Sequence, residues 1–391
     1  MKKINLGVLV STLTVGGAEQ VLLELLRRMD RDRFNIHVFF LQDLGIIGRE
    51  LEKLGIPTTT GIRRGRLDPW AVGRLRKCFI RKKIDSLLLL DHRDSLFYGV
   101  PAARLAGISP VVNWEHVTFM RYSWHRLTMT ARRMVHLGVD KVVAVARGHR
   151  DYIIKEEKIP ASKVLTIYNG VDPGRFSSDL TREEARTRLG LPAAGRVVSI
   201  IAVLRPDKAH EIFLQAAGIV LKQAPLTHFL IIGDGPLKGR LQAEAKLAGV
   251  EKNVHFLGFR RDLNNILPAV DVNVLSSRPL QETLSIAALE AMSAGIPMVC
   301  TRVGFMDEIV MDGETGYLVD VDDPEDLAAR ISQILNDDHL RQTMGQKAKK
   351  MVYEKFNIRL MTRSFENLFT FNDKCPTRAS RDRTRKQLTP P

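Results

Sequence analysis

The chain has 391 residues, of which 45% are hydrophobic and 26% are charged, and its formal net charge is +15 at pH 7. This length is too great for one ordinary hydrophobic core and favours two domains of about 150 to 200 residues each. The apolar runs fall far short of the roughly 20 residues that span a bilayer, so the sequence predicts no transmembrane helix. Three scattered cysteines show no metal-ligand spacing and indicate a reducing compartment, the cytoplasm.

The order of apolar residues predicts alternating strands and helices. The chain begins with a strand at residues 2–10, preferred over a signal peptide because the apolar run ends at Val10, and a helix with the spacing of Val21, Leu25 and Met29 follows. Further elements of the first half are strands at 36–41, 87–90, 111–113 and 141–146 and helices near 48–54 and 95–106. The alternation restarts with strands at 197–203, 228–233, 254–257, 272–275 and 298–300. This pattern is typical of α/β domains with doubly wound parallel sheets.

Turn signals in YNGVDPGRF, residues 168–176, separate the two halves. We predict Rossmann-like domains at residues 1–185 and 186–355, a C-terminal helix at 356–372 that returns to the first domain, and a disordered basic tail at 373–391. Residues 1–190 hold 33 Lys and Arg against 20 Asp and Glu, whereas residues 191–372 hold 20 against 22. The positive charge therefore belongs to the first domain and the tail.

Two glutamates bracket an apolar stretch in QETLSIAALE, residues 281–290. Eight helical positions would turn Glu282 and Glu290 about 80° apart, so one helix face does not present both. We therefore expect Glu282 in the loop ahead of a helix and Glu290 two turns inside it. The helix N-terminus between them is suited to an anion. The alternative is that Glu282 is there only because the helix dipole stabilises a negative charge near the helix start, and that Glu290 is simply exposed to solvent.

Glycines and cations follow several predicted strands, at the sheet edge where α/β proteins bind ligands. Gly16 and Gly17 in TLTVGGAEQ allow a close backbone approach to a phosphate, or simply make a turn. Arg205 and Lys208 in LRPDKAHE would neutralise a diphosphate, or form an exposed charged loop. Gly233 in GDGP repeats the strand–turn–helix arrangement.

His116 in NWEHVTF follows another strand end and would point into the cleft between the domains, although a lone histidine is more often structural. The acidic stretches LDHRD and DVDD, residues 90–94 and 320–323, lack the Asp-x-Asp pattern of a strand end that chelates a divalent ion, so no metal is expected. A G-x-S-x-G hydrolase motif does not occur.

The order of these motifs resembles glycosyltransferase family 4, which has the GT-B fold of two Rossmann-like domains facing a central cleft. GGAE, the histidine, YNGVD, LRPDKAHE, GDGP, NVHFLGF, the two glutamates and AMSAGIPMVCT carry the resemblance over about residues 4–371. It implies retaining, metal-independent transfer of a sugar from a nucleoside diphosphate-sugar to a hydroxyl, without a cofactor. The acceptor would be a lipid-linked or cell-surface glycan, as in lipopolysaccharide, exopolysaccharide or glycolipid synthesis.

The resemblance also assigns roles to individual residues. Glu282, His116 and Lys208 would form the catalytic set, with Glu282 at the donor sugar and Lys208 at the diphosphate. The further donor-binding residues would be the backbone groups of Thr283 and Leu284 at the distal phosphate, Gly16, Gly17 and Gly233 in turns, Arg205, Arg260 at the base and Glu290 at the ribose.

The chain departs from the family pattern at two places. Ala202-Val203-Leu204 stands where the family has Gly-Arg-Leu, which leaves Arg205 as the substitute for the usual arginine. Thr283 stands where Glu-Gly-Phe has its glycine.

Basic and aromatic residues alternate at 61–83, with nine Lys or Arg against one Asp, and again at 121–138. Such surfaces suit anionic lipid headgroups, and the enzyme is expected at the inner face of the membrane; the alternative is an ordinary solvated helix. Nucleic acid is not an expected partner, because a base-reading module is not recognisable. Two other functions compatible with the same cleft are a sugar-nucleotide epimerase or hydrolase and a non-catalytic nucleotide-sugar binding module.

Overall fold

A computed structural model describes residues 3–12, 16–65, 68–90, 93–118, 125–279 and 282–370. Within these residues the strands form two separate sheets, one of seven strands and one of six, and all neighbouring strands in them are parallel. Parallel strands need crossover connections, and most of these connections contain an α-helix. The predicted pair of Rossmann-like α/β domains is confirmed.

The first sheet has the strand order β3-β2-β1-β4-β5-β6-β7. Its strands are β1 (Ile4–Val10), β2 (Phe34–Phe40), β3 (Thr58–Thr59), β4 (Ser86–Leu90), β5 (Val111–Glu115), β6 (Lys141–Ala144) and β7 (Val164–Thr166). In the central strand, Val8 is paired with Val38 on one side and Leu88 on the other. Helices cover both faces of such a sheet, which explains why its central strands read as continuous apolar runs.

The helices of the first domain return the chain from the end of one strand to the start of the next. They are α1 (Gly17–Arg28), α2 (Gly45–Lys53), α3 (Trp70–Arg81), α4 (Arg93–Ala106), α5 (His125–His136) and α6 (Arg147–Lys155). Each helix therefore begins at the carboxyl edge of the sheet, where several of the predicted ligand loops also lie.

The second sheet has the order β10-β9-β8-β11-β12-β13. Its strands are β8 (Val197–Ile201), β9 (His228–Ile232), β10 (Val254–Gly258), β11 (Val272–Leu275), β12 (Met298–Thr301) and β13 (Gly316–Val319). The helices that follow the join are α7 (Arg182–Arg188), α8 (His210–Gln223), α9 (Lys238–Leu247), α10 (Leu263–Ile266), α11 (Ile286–Ser293), α12 (Pro324–Asn336), α13 (Asp338–Lys355) and α14 (Ile358–Thr370).

A buried carboxylate ties α7 to the second domain. Asp271, at the start of β11, accepts hydrogen bonds from Arg182 (2.5 Å), Arg186 (3.0 Å) and the backbone N–H of Val197 (2.8 Å), and it pairs with Arg341 of α13. The boundary expected at residues 185 and 186 falls inside α7. We propose instead that the second domain begins at Thr181, whose side chain caps this helix.

The last helix, α14, packs against α1 of the first domain. The Glu366 carboxylate accepts a hydrogen bond from the backbone N–H of Asp30 (2.8 Å), and the ring of Phe365 lies 4.6 Å from that of Trp114 in β5. The predicted return of the C-terminal helix is therefore confirmed. The tail expected to be disordered, residues 373–391, lies outside the described residues.

Candidate active site

Lys208 and Glu282, two of the predicted catalytic residues, form an ion pair although 74 residues separate them in sequence. Lys208 ends a short 3-10 helix, Pro206–Lys208, after β8, and Glu282 precedes α11. The Ser277 hydroxyl also donates a hydrogen bond to the Glu282 carboxylate, over 3.1 Å. Adjacent parallel strands end at one sheet edge, and this brings the cation and the carboxylate together.

The backbone beside Lys208 is fixed by an unusual conformation. Ala209 adopts φ 44° and ψ 48°, a left-handed conformation that residues other than glycine rarely adopt. The Ser276 hydroxyl lies 3.0 Å from the carbonyl oxygens of both Lys208 and Ala209 and serves as their donor. The backbone of Lys208 is therefore held in a turn that the Ser276 hydroxyl stabilises.

The N-terminus of α11 lies between the two glutamates, as expected, but the helix begins later than the sequence suggested. Ser285 is its N-cap and accepts a hydrogen bond from the backbone N–H of Ala288 (3.3 Å). Glu290 consequently lies one turn inside α11 instead of two. Thr283 and Leu284 are buried ahead of the cap. First-turn N–H groups have no partner inside a helix, which makes this end suitable for a phosphate.

Glu290 lines a small cleft pocket between the domains. Gln20 and Glu24 of α1 and Arg175 of the domain join also line it. Burial raises the pKa of Glu290 to about 7; the charge of Glu24 adds to this rise and that of Arg175 opposes it. The carboxyl group therefore holds its proton to a higher pH than an exposed glutamate does.

Gly17, the first residue of α1, lies directly against α11. A Cβ atom at Gly17 would come within 3.3 Å of Ile286 Cγ1. The glycine therefore permits the close approach of the two domains beside the start of α11. Gly16 is the N-cap of α1, and a Cβ added there would meet the Glu19 carboxylate. Residues 13–15 of the same predicted turn lie outside the described residues.

Gly233 lies where the loops after β8 and β9 contact each other. Its φ is 151°, and a Cβ atom would overlap the carbonyl oxygen of Ala202. The backbone N–H of Leu204 donates to the carbonyl of Asp234 over 3.0 Å. This contact accounts for the glycine without a ligand, so a ligand role for Gly233 stays a prediction.

The two predicted arginines of the site have carboxylate partners nearby in sequence. Arg205 pairs with Asp207 (3.1 Å), and Arg260 makes two hydrogen bonds to Asp262, of 2.7 and 2.6 Å. The Arg205 side chain is 43% exposed, and ion pairs of this kind contribute little to stability. A diphosphate or a base could therefore displace these partners at small cost, and both donor-binding roles stay predictions.

His116 follows β5 at the edge of the first sheet, and its ring lies 4.5 Å from that of Trp114. The residue before it, Glu115, is fully buried and pairs with Arg132 and His136 of α5. Burial alone would raise the pKa of Glu115, but the Arg132 charge and the His136 hydrogen bond hold it at about 2. His116 therefore directly follows a buried carboxylate that an arginine and a histidine of α5 hold in place.

Sequence reasoning did not identify several residues around the site. Ser276 and Ser277 support Lys208 and Glu282, and Phe305 donates its backbone N–H to the Thr283 carbonyl over 2.9 Å. Their roles arise only from long-range contacts, and no local pattern marks them. Within the described residues, no group of three or more His, Cys, Asp or Glu side chains is arranged to hold a metal ion.

Two facing Rossmann-like domains with this cleft define the GT-B class of protein. Family models match nearly the whole folded chain: Glycosyltransferase Family 4 at residues 15–175 and Glycosyl transferases group 1 at residues 181–351. The chain belongs to glycosyltransferase family 4, as the sequence motifs predicted.

Individual relatives agree with this membership. The chain is 27% identical to N-acetyl-alpha-D-glucosaminyl L-malate synthase of Bacillus anthracis, over 60% of this chain and 61% of that protein. It is 26% identical to the UDP-Gal:alpha-D-GlcNAc-diphosphoundecaprenol alpha-1,3-galactosyltransferase of Escherichia coli, over 73% and 74%. In fold it is similar to Anabaena HepE in complex with UDP, with a TM-score of 0.83, 22% identity and coverage of 94% of this chain and 99% of that one.

Proposed function

We propose that the protein transfers a sugar, with retention of anomeric configuration, from a nucleoside diphosphate-sugar to a hydroxyl of a glycan or lipid-linked acceptor. The observation that carries this proposal is the Lys208–Glu282 ion pair beside the start of α11, with Glu290 one turn further along. A cation, a helix N-terminus and two carboxylates in this order match a ligand that has a diphosphate between two polyhydroxylated ends.

Each group has a defined task in the proposed reaction. Lys208 and the first turn of α11 hold the diphosphate, Glu282 accepts hydrogen bonds from sugar hydroxyls, and Glu290 accepts them from the ribose. The bond between the anomeric carbon and the phosphate oxygen breaks, and the acceptor hydroxyl oxygen bonds to that carbon. The hydroxyl proton leaves with the departing phosphate or to water. Lys208 stabilises the negative charge that develops on the leaving group, a task that a bound metal ion performs in some other enzymes.

The nature of the substrates is supported by similar proteins. Anabaena HepE has been solved with UDP-glucose, and the E. coli relative is named for a UDP-galactose donor and a diphosphoundecaprenol-linked acceptor. We infer a nucleoside diphosphate-hexose as the donor, bound without a metal, and an acceptor of a cell-surface glycan pathway held by the first domain in the cytoplasm.

The first domain has a surface suited to an anionic membrane. The stripe Ala71, Leu75 and Phe79 of α3 is buried, as an ordinary core helix would have it. Trp70 and Ile80, however, are exposed beside the exposed cations of this helix. Leu105 and Leu137 lie exposed at the ends of α4 and α5. Among the described residues, none of the helices has both the length and the apolar character needed to span a bilayer.

Aromatic and basic residues together bind anionic bilayer surfaces, which supports peripheral contact on this side. Flotation with vesicles of phosphatidylcholine, with and without phosphatidylglycerol, tests this contact. We expect binding that requires the anionic lipid and weakens in Trp70→Ser. Binding that ignores lipid charge would count against the membrane surface.

The experiment that tests the proposed function is transfer from a panel of nucleotide sugars by wild type, Lys208→Ala and Glu282→Ala. Both substitutions should abolish transfer in a folded protein, whereas Lys222→Ala and Glu251→Ala, at exposed positions of the same domain, should not. Donor consumption without an acceptor would favour an epimerase or hydrolase, and binding without turnover would favour a binding module. The anomeric configuration of the product, read by NMR, tests retention.

A further inference from the structure

Residues 302–308, which we call the clasp loop, follow β12 in the second domain and contact the first domain. Glu308 ends a short 3-10 helix, Met306–Glu308, in this loop. Its carboxylate accepts hydrogen bonds from the backbone N–H groups of Arg147 (3.0 Å) and Gly148 (2.7 Å) and from the Tyr168 hydroxyl (2.5 Å). All three donors belong to the other half of the chain, about 140 to 160 residues away in sequence.

The clasp loop supplies a cap that α6 does not have in its own sequence. The residue at the N-cap position of α6 is Ala146, which has no side-chain acceptor. Unpaired N–H groups and the helix dipole both favour a carboxylate at that end, and Glu308 provides it from the second domain. Burial and the Glu308 carboxylate raise the pKa of Tyr168 to about 12, so its hydroxyl keeps the donated proton.

The aromatic ring of Phe305 packs against the same end of α6. The Phe305 ring lies so close to Gly148 that a Cβ atom on Gly148 would collide with it. The same ring stacks on the fully buried imidazole of His149, with the centroids 5.9 Å apart. The first turn of α6 is thus held by a carboxylate and by an aromatic ring from one loop of the other domain.

On its other side, the clasp loop is bonded to the donor loop of the candidate active site. The backbone N–H of Phe305 donates to the Thr283 carbonyl over 2.9 Å. Gly304 has φ 55°, and a Cβ atom there would overlap the carbonyl oxygens of Glu282 and Thr283. One short segment therefore touches the backbone of Glu282 and the start of α6 at the same time.

We propose that Glu308 and Phe305 are positioning residues that hold the first domain in register with the Glu282 loop for the transfer step. The inference rests on the proposed function, in which donor and acceptor occupy different domains and must meet. Interfaces between domains of one chain are usually polar and mobile, so specific contacts set their geometry. Another cross-domain ion pair, Arg261–Glu50, has its arginine 62% exposed and should contribute little.

The effect expected of a positioning residue differs from that of a donor ligand. In the proposed function the groups that hold UDP, namely Lys208, Glu290 and the first turn of α11, belong to the second domain, whereas transfer requires both domains in one arrangement. A misplacement of about 1 Å can cost on the order of 100-fold in rate. Loss of Glu308 should therefore lower kcat and leave the affinity for UDP unchanged.

The test compares wild type, Glu308→Ala and Asp337→Ala, in the full chain. Asp337 is a matched control because it caps α13 within the second domain, accepting the backbone N–H of Leu340 over 2.8 Å. We measure kcat, the Kd of UDP by calorimetry, the Tm, and the radius of gyration by small-angle X-ray scattering with saturating UDP. Tyr168→Phe, which removes one of the three donors, provides a milder variant.

For Glu308→Ala we expect a 10- to 100-fold lower kcat, a Kd of UDP within twofold of wild type, and a larger radius of gyration. Asp337→Ala should lower the Tm but keep kcat, and Tyr168→Phe should lie between Glu308→Ala and wild type in kcat. Wild-type kcat and scattering in Glu308→Ala would overturn the proposal. So would a Kd of UDP raised tenfold or more at unchanged scattering, which would make Glu308 a donor-site residue. If wild type itself transferred no sugar, the proposed function would fail, and the scattering comparison would still decide whether the clasp loop joins the domains.

Discussion

The titration of Glu290 provides a direct test of the pocket between α1 and α11. The perturbation is the removal of its charge in Glu290→Gln, measured over the pH range 4 to 8.5. The ordinary pKa of a glutamate, 4.5, rises to about 7 at this position, first because of burial and then because of the charge of Glu24, against the opposing charge of Arg175. A difference of this size corresponds to roughly 3 kcal/mol.

The sign of the effect on stability follows from the direction of the pKa change. Because the folded pKa is raised, the folded protein holds the proton of Glu290 more tightly than the unfolded chain does. The stability from this group is fully present below pH 4.5 and is lost as the pH rises through 7. Relative to Glu290→Gln, wild type should lose about 3 kcal/mol of unfolding free energy between pH 4.5 and pH 8.

Donor binding should show the opposite dependence. The hydroxyl groups of a ribose donate hydrogen bonds, and these favour the ionised carboxylate of Glu290. Donor binding should therefore lower the pKa of this group. The affinity for UDP-glucose should therefore weaken as the pH falls below 7, by up to about tenfold per pH unit. The phosphates of UDP-glucose do not titrate in this range, which makes it a cleaner probe than UDP.

Urea denaturation and calorimetry over the pH range measure the two effects. The control Glu251→Gln removes an exposed carboxylate of the same domain and should follow wild type. Parallel curves of unfolding free energy for wild type and Glu290→Gln would refute the burial of this carboxyl group. A pH-independent affinity for UDP-glucose would refute its contact with the ribose.

Three further predictions concern the contacts that position the site and the fold. In a double-mutant cycle, Lys208→Met and Glu282→Gln should each lower the unfolding free energy, with a coupling of about 1 to 3 kcal/mol; a coupling near zero would mean that the ion pair is absent in solution. Asp271→Asn should cost about 3 to 5 kcal/mol in urea denaturation, because it leaves buried arginines without their carboxylate, and a loss below 1 kcal/mol would contradict that arrangement. Phe365→Leu should lower kcat about tenfold by loosening Trp114, whose ring contacts that of His116, the predicted catalytic histidine. Phe213→Leu, an equally buried control in the second domain, should reduce stability by a similar amount and keep kcat. Equal kcat in the two variants would contradict a supporting role of α14.

Much of the fold could be predicted from local patterns. Apolar runs such as residues 87–90 and the helical spacing of Val21, Leu25 and Met29 mark elements whose periodicity depends only on neighbours in sequence. The elements that sequence reasoning missed are short or lack a clear period, such as β3 (Thr58–Thr59) and β7 (Val164–Thr166). Their existence depends on pairing at the sheet edge beside longer strands.

The sequence by itself determined the two α/β halves, the family and the set of residues at the strand ends. Only the tertiary structure decided which of these residues meet. Lys208 meets Glu282 because β8 and β11 are neighbours in the sheet, and Ser285 rather than the apolar pattern sets the start of α11. Glu308 reads in sequence as one more surface carboxylate, yet it caps a helix of the other domain. Strand order and domain packing bring together residues far apart in the chain, and such contacts leave no mark in the spacing of nearby residues.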